Sequence, residues 1–285
     1  VSHASPRPME SSASSDTTPA LLELEHVTKR FGGLPAVDDL SFAVREGEVL
    51  GIIGPNGAGK STVIGLIGGA IAPTSGSVRF AGRDVGRLSP HQRAHLGIAR
   101  TFQITQPFVG LDVRENVIVG ALFNGKGMSR AEAMRVADEV LERTHLAAKA
   151  RLKGDELTVA DCKRLEMARA LAMQPRLLLL DEVMAGLVPS EVELAVRLIR
   201  EINHSGVTVV VIEHIMKAIQ GVSDRVLVMH FGRKIAEGSP QDVLSNQRVI
   251  EAYLGERYAR MRRESAADTG LAPSDTMASG EGEDA

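Results

Sequence analysis

The run Gly54, Pro55, Asn56, Gly57, Ala58, Gly59, Lys60, Ser61, Thr62 constrains this chain more than any other stretch. Apolar residues Val49 to Ile53 lead into it, and the helix-compatible segment Val63 to Ile67 leads out. A strand, a glycine-rich turn and a helix N-terminus are the context in which G-x-x-x-x-G-K-[ST] becomes a phosphate site. Glycines at 54, 57 and 59 let the backbone turn its N–H groups inward, and the helix dipole favours an anion. Lys60 would reach the β- and γ-phosphates of a nucleotide, and the Ser61 hydroxyl would take one position on Mg²⁺. A Gly-rich loop with a chance Lys-Ser is the bland alternative, and the flanking elements weigh against it.

The rest of the composition narrows the class. At 285 residues the chain can hold one large or two modest domains, and 44% hydrophobic with 24% charged residues is ordinary for a globular protein. A net charge of −3 offers no global field for nucleic acid. The single cysteine, Cys162, rules out an internal disulfide and fits a reducing compartment. No stretch reaches the roughly 18 consecutive apolar residues that span a bilayer, and no signal pattern opens the sequence, so the expectation is a cytoplasmic protein reaching a membrane only through a partner.

Along the chain, residues 1–20 are Ser/Pro/Thr-rich and aperiodic, and 264–285 are small, acidic and aperiodic, so both read as disordered tails. Leu21 to Val27 alternates as an edge strand would, and Ala36 to Val44 reads as a second strand. Ser77 to Phe80 and Ile98 to Gln103 read as short strands, and Gln103 to about Ala172 as a helical insertion with capping residues at Asp112/Glu115 and Ser129/Glu132. Arg176 to Leu180 and Val207 to Ile212 read as fully buried strands. A helix opens at Pro189, a hairpin turns at Phe231-Gly232, and Ser239-Pro240 starts a terminal helical region to about Arg263. Alternating strands and helices predict an α/β fold: a P-loop core with a parallel sheet, an N-terminal antiparallel β subdomain and an inserted α-helical subdomain. Sites then belong at the strands' C-terminal ends.

Three strand ends carry chemistry. Asp181 and Glu182 end the buried run Leu177-Leu-Leu-Leu. Beside a phosphate loop, Asp181 can hold Mg²⁺ through water and Glu182 can polarise an attacking water as general base; a simple helix N-cap is the alternative. His214 ends the next buried run, where it is either a structural hydrogen-bonder or a donor to the γ-phosphate. Gln103 offers an amide able to touch both Mg²⁺ and water.

The set GPNGAGKST at 54–62, Gln103 in RTFQ, LLLLDE at 177–182 and His214 in VIEH, in this order, resembles the ATP-binding subunits of ABC transporters over residues 21–258. The resemblance implies that Phe31 stacks on adenine, the alternative being a core aromatic, and that ATP and Mg²⁺ bind here. Gln103 would begin the loop toward the membrane subunit, and the helical insertion, about 104–172, would dock there. FGGLPAV at 31–37, DEVMAGLVPSE at 181–191 and the ending at 236–256 are similar to one branch, the ATPases of importers for branched-chain and other hydrophobic amino acids, with relatives for urea and short amides. Lipopolysaccharide-export ATPases are also similar, and soluble ABC ATPases and non-hydrolysing regulatory modules are rival readings. The implied partners are integral membrane permease subunits, a solute-binding protein acting indirectly, and no nucleic acid, with the chain on the cytoplasmic face of the cell membrane.

Departures from the family pattern are informative. The signature Leu-Ser-Gly-Gly-Gln falls on Leu157-Thr158-Val159-Ala160-Asp161. In the family this segment caps the ATP of a second subunit paired head to tail. Thr158 keeps a hydroxyl for the γ-phosphate, but Val159 and Ala160 lose the close backbone approach of glycine. Asp161 brings a negative charge toward a polyanion, at a cost of roughly 4 kcal/mol for like charges 4 Å apart at an effective dielectric near 20, unless it caps the following helix or turns to Lys163. Val183 replaces a usual proline, and Val188 replaces a polar residue that crosses the dimer seam. The expectation is a heterodimer with a second, different ATP-binding subunit.

Overall fold

Runs that read as strands fold as strands, and two sheets share them. A computed structural model describes residues 20–101, 107, 108 and 110–253. The chain opens with β1 (Ala20–Phe31), β2 (Leu34–Arg45) and β3 (Val49–Ile53), then α1 (Lys60–Gly68), β4 (Ser75–Phe80) and β5 (Arg83–Asp84). Next come α2 (Pro90–His95), β6 (Ile98–Arg100), α3 (Val113–Leu122), α4 (Arg130–Arg143) and α5 (Val159–Ala172). β7 (Leu177–Asp181), α6 (Pro189–His204), β8 (Thr208–Ile212), α7 (Met216–Val222), β9 (Arg225–His230), β10 (Arg233–Gly238) and α8 (Pro240–Ser245) follow. The expectations for the two tails and for Gln103 fall on residues outside those described.

The central sheet runs β10-β9-β3-β8-β7-β6, parallel except for the β9–β10 hairpin at one edge. Its inner strands β3, β8 and β7 are buried on both faces, and the period of two divides their residues between two cores. Leu178, Leu180, Val209 and Val211 face the helices α3 to α7. Leu177, Leu179, Val210 and Ile212 face α1 and a four-stranded antiparallel sheet, β2-β1-β4-β5. Helices α3, α4 and α5 lie in the chain between β6 and β7, so the inserted helical part interrupts the core. The expected capping box forms at Ser129, and the helix start expected at Asp112 is closed by a capping box as well.

One expectation fails. Leu21 to Val27 is not an edge strand, because β1 pairs with β2 on one side and β4 on the other. Alternation reports that one face is buried, and it carries no information on how many neighbours a strand has.

The phosphate-loop helix has a partner the sequence does not announce. α1 has no basic residue in its last turn. Arg93 of α2, 1% exposed, donates to the carbonyls of Leu66 and Ile67 there, and its Nε donates to Leu88 at 3.1 Å. Burial pulls the guanidinium down to about 10, against the pull of Asp84. Arg93→Met keeps the apolar stem but strands those carbonyls. We expect a loss of about 1–2 kcal/mol, read as a Tm lower by roughly 2–8 °C. An unchanged melting temperature would show that the carbonyls need no such donor.

Candidate functional site

The loop between β3 and α1 is held from outside as well as by its own turns. Gly54 and Gly59 sit at φ 155° and 97°, and a Cβ on either would lie 2.2 Å from a backbone oxygen, of Met229 and Ala36 respectively. Only glycine fits at these two positions. The Gly232 N–H donates to Ala58 O at 3.0 Å, which ties the loop to the β9–β10 turn. Gly59 caps α1 without any side-chain acceptor, which leaves the helix N-terminus open to an anion. Lys60 is 8% exposed and its ammonium donates to Gly54 O at 2.7 Å and Pro55 O at 2.9 Å, inside the loop it would serve. Ser61 and Asn56 face solvent, and Thr62 is half-buried.

Four strand ends converge on this loop. In the sheet order β3-β8-β7-β6, the loop follows β3, His214 follows β8, Asp181 and Glu182 end β7, and Thr101 follows β6. β8 therefore stands between the loop's strand and that of Asp181, roughly 4.8 Å from each. Asp181 is 3% exposed, and its Oδ1 has no hydrogen-bond partner among the described residues. Burial holds its carboxyl above the ordinary range, Glu182 adding to this and the charges of Arg100, Lys60 and Lys163 opposing it. Glu182, half-buried, takes φ 50°, a conformation unusual for a residue with a side chain. Its N–H donates to Ile212 O at 3.0 Å, so β8 holds the turn that carries it. His214 is exposed at the same end. Phe31 is 53% exposed with the Lys29 ammonium 5.2 Å from its ring centre, so the core-aromatic alternative does not hold.

The residues fit a magnesium ion. A buried, unpartnered carboxylate oxygen and an exposed loop hydroxyl suit a cation that keeps several waters and otherwise binds phosphate oxygens. No group of three or more His, Cys, Asp or Glu that could hold a metal ion occurs among the described residues. Gln103, the other expected ligand, lies outside the described residues.

The signature segment resolves the question of Asp161. Thr158 caps α5 and Asp161 closes a capping box with it: Thr158 Oγ donates to Asp161 Oδ2 at 2.7 Å and accepts from the Asp161 N–H at 3.2 Å. The carboxylate is 1% exposed and also takes Lys149 Nζ at 2.5 Å and Arg164 at 2.5 Å. It turns inward, to Lys149 and Arg164 rather than Lys163, and the Thr158 hydroxyl expected for a γ-phosphate is engaged with it. Val159, 63% exposed, and Val188, 55% exposed, present apolar side chains instead.

Comparison with known proteins matches this arrangement. The ABC transporter family model matches residues 37–185. High-affinity branched-chain amino acid transport ATP-binding protein LivG of Salmonella typhimurium is 39% identical over 250 residues, covering 83% of this chain and 98% of that protein. The chain belongs to the ABC transporter ATP-binding proteins. BraF of Pseudomonas aeruginosa, a protein of the same description, is 38% identical over the same shares of each chain. A model for branched-chain amino acid ATP-binding cassette transporters matches residues 233–259. The solved structure of MJ1267, an ATP-binding cassette of an ABC transporter, superposes with a TM-score of 0.76 at 33% identity, covering 83% of this chain and 99% of that one. This cassette is accordingly an ATP-binding, ATP-hydrolysing transporter subunit, and no helix among its described residues is long and apolar enough to cross a membrane.

Two residues at the site escaped the sequence reading. Thr101, 1% exposed, accepts the Asp181 N–H on its hydroxyl at 3.3 Å. Glu213, wholly buried, accepts the Met184 N–H at 2.7 Å. Their only signal is position: each directly follows, or nearly follows, a strand that ends at the site.

Proposed function

We propose that this chain powers an importer of branched-chain amino acids or a related small polar solute such as urea or an amide, bound to permease subunits at the cytoplasmic face of the membrane. The observation that carries this reading is the branched-chain model's match over 233–259, outside the part common to ABC ATPases generally. It favours import over the lipopolysaccharide-export alternative. Uptake of labelled leucine and of labelled urea, with and without an intact Lys60, tests it; uptake of neither overturns the solute assignment.

At the site, Lys60 and the loop N–H groups bind the β- and γ-phosphates, and Phe31 covers the adenine. Ser61 and Asp181 hold Mg²⁺, which neutralises phosphate charge when bound. Glu182 takes a proton from the attacking water, and His214, at the end of the adjoining strand, donates to the γ-phosphate.

The working assembly is a heterodimer with a second ATP-binding subunit. Its support is the exposed Val159 and Val188 and the engaged hydroxyl of Thr158, which leave this chain a poor cap for another copy's nucleotide. The purified chain alone should hydrolyse ATP at least about tenfold more slowly than when co-purified with that subunit, a loss of one or two transition-state contacts. Equal rates would favour a homodimer.

A further inference from the structure

Glu213 is a buried ionisable group at the site that the mechanism gives no task. Glu213 separates Ile212, whose carbonyl accepts the Glu182 N–H at 3.0 Å, from His214. Its own Oε1 accepts the N–H of Met184, two residues beyond Glu182, at 2.7 Å. Two consecutive residues of β8 and its end thus grip the turn 182–184 at both its ends. Glu213 is 0% exposed, and its Oε2 has no hydrogen-bond partner among the described residues. A carboxyl in such a place costs stability that an apolar side chain would not. Groups of this kind persist where the local chemistry uses them.

We propose that Glu213 is a positioning residue for ATP hydrolysis, one that locks the turn bearing Glu182 to the strand end bearing His214. The inference rests on the reading of Glu182 as the base. The base must meet water within a fraction of an ångström, and Glu182 already sits at φ 50°, a backbone state that needs external support. Glu213 supplies that support through Met184, and through the chain it fixes His214 relative to the same turn. Charged neighbours act on it from the turn after β7 and from α5. Burial pushes its carboxyl up to about 7 and Glu182 adds to this, while the N–H groups of Met184 and His214 and the charge of Lys163 on α5 oppose it. Ionised Glu213 grips the Met184 N–H more firmly than the neutral acid does.

The test uses the full chain co-purified with its transporter partners. Glu213→Leu should lower kcat at least about tenfold while KM for ATP stays within about twofold, since an interaction that serves the transition state is lost. Glu213→Gln, whose amide oxygen still accepts from Met184, should recover most of kcat. The ratio of parent to Gln-variant kcat should rise between pH 6 and pH 8, which cancels the titration of ATP itself. A parent-like kcat in the Leu variant, equal losses in both variants, or a flat ratio across pH would each overturn the proposal. If the Leu variant does not fold, the Gln variant and its pH ratio still decide. Glu182→Gln serves as control: if it hydrolyses ATP normally, the reading of the base fails; if it is inactive and Glu213→Leu is not impaired, only the present inference fails.

Discussion

Replacing Glu182 by Gln is expected to slow ATP hydrolysis by about 10²- to 10⁴-fold, the span attributed to a lost general base. ATP affinity should stay within about twofold of the parent, the pattern of an interaction made only in the transition state. Glutamine keeps the size of the side chain and leaves the turn's own supports in place: the Glu182 N–H on Ile212 O at 3.0 Å, the Ala185 N–H on Glu182 O at 3.2 Å, and the Met184 N–H on Glu213 at 2.7 Å. What it removes is basicity. It also removes a negative charge that helps hold the Asp181 carboxyl above its ordinary range, so the Mg²⁺ side of the site is not weakened. Steady-state phosphate release alongside equilibrium nucleotide binding checks both halves. Unchanged turnover would take Glu182 out of the base role, and lost binding would make the residue structural.

The parts of this site that the sequence makes legible are those built from contiguous residues. The phosphate loop shows its glycines at 54 and 59 in one contiguous motif, although the backbone oxygens that exclude a side chain there belong to Met229 and Ala36, and the buried strands need unbroken apolar runs because each feeds two cores. Placement across the sheet is different. That β8 stands between β3 and β7 is a fact of topology, fixed by pairings such as Val49 with Val209 and Leu180 with Val211. The same holds for β1, whose second neighbour β4 lies some fifty residues further along, as in the pairing of Leu24 with Val78. Glu213 illustrates a second kind of blindness. A glutamate after a strand reads as a solvated turn residue, and only the approach of Met184 from another loop makes it a buried acceptor. Asp161 was ambiguous for the same reason, since its aim depends on Lys149, twelve residues upstream.

Asp161 also yields the largest expected change in stability. Asp161→Ala should cost about 2–3 kcal/mol, below the 3–5 typical of breaking a fully buried pair, because Lys149 and Arg164 retain 38% and 26% exposure and water screens part of the loss. For a chain of this size that is a fall in Tm of roughly 4–12 °C. The helix cap contributes as well, since the Thr158 N–H and hydroxyl both lose their acceptor. Burial works against ionisation here, but the hydrogen bonds from Lys149 and Thr158 and the charge of Arg164 outweigh it, and the carboxyl lies below its ordinary range. A depressed carboxyl stabilises the fold above its unfolded pKa and ceases to do so as pH falls through the folded one. The gap between parent and variant should therefore be full at pH 7 and close in acid, below about pH 4. Asp161→Gln separates charge from cap: it keeps a side chain able to close the box, yet leaves Lys149 and Arg164 without their anion. We expect it to be destabilised nearly as much as the Ala variant, and to be rescued in part by Lys149→Met. If Gln proved neutral, the ion pairs would contribute nothing and the box alone would hold α5. If the rescue appears, a single return to the family's glutamine cannot restore this segment, because its charge balance involves a lysine outside the signature.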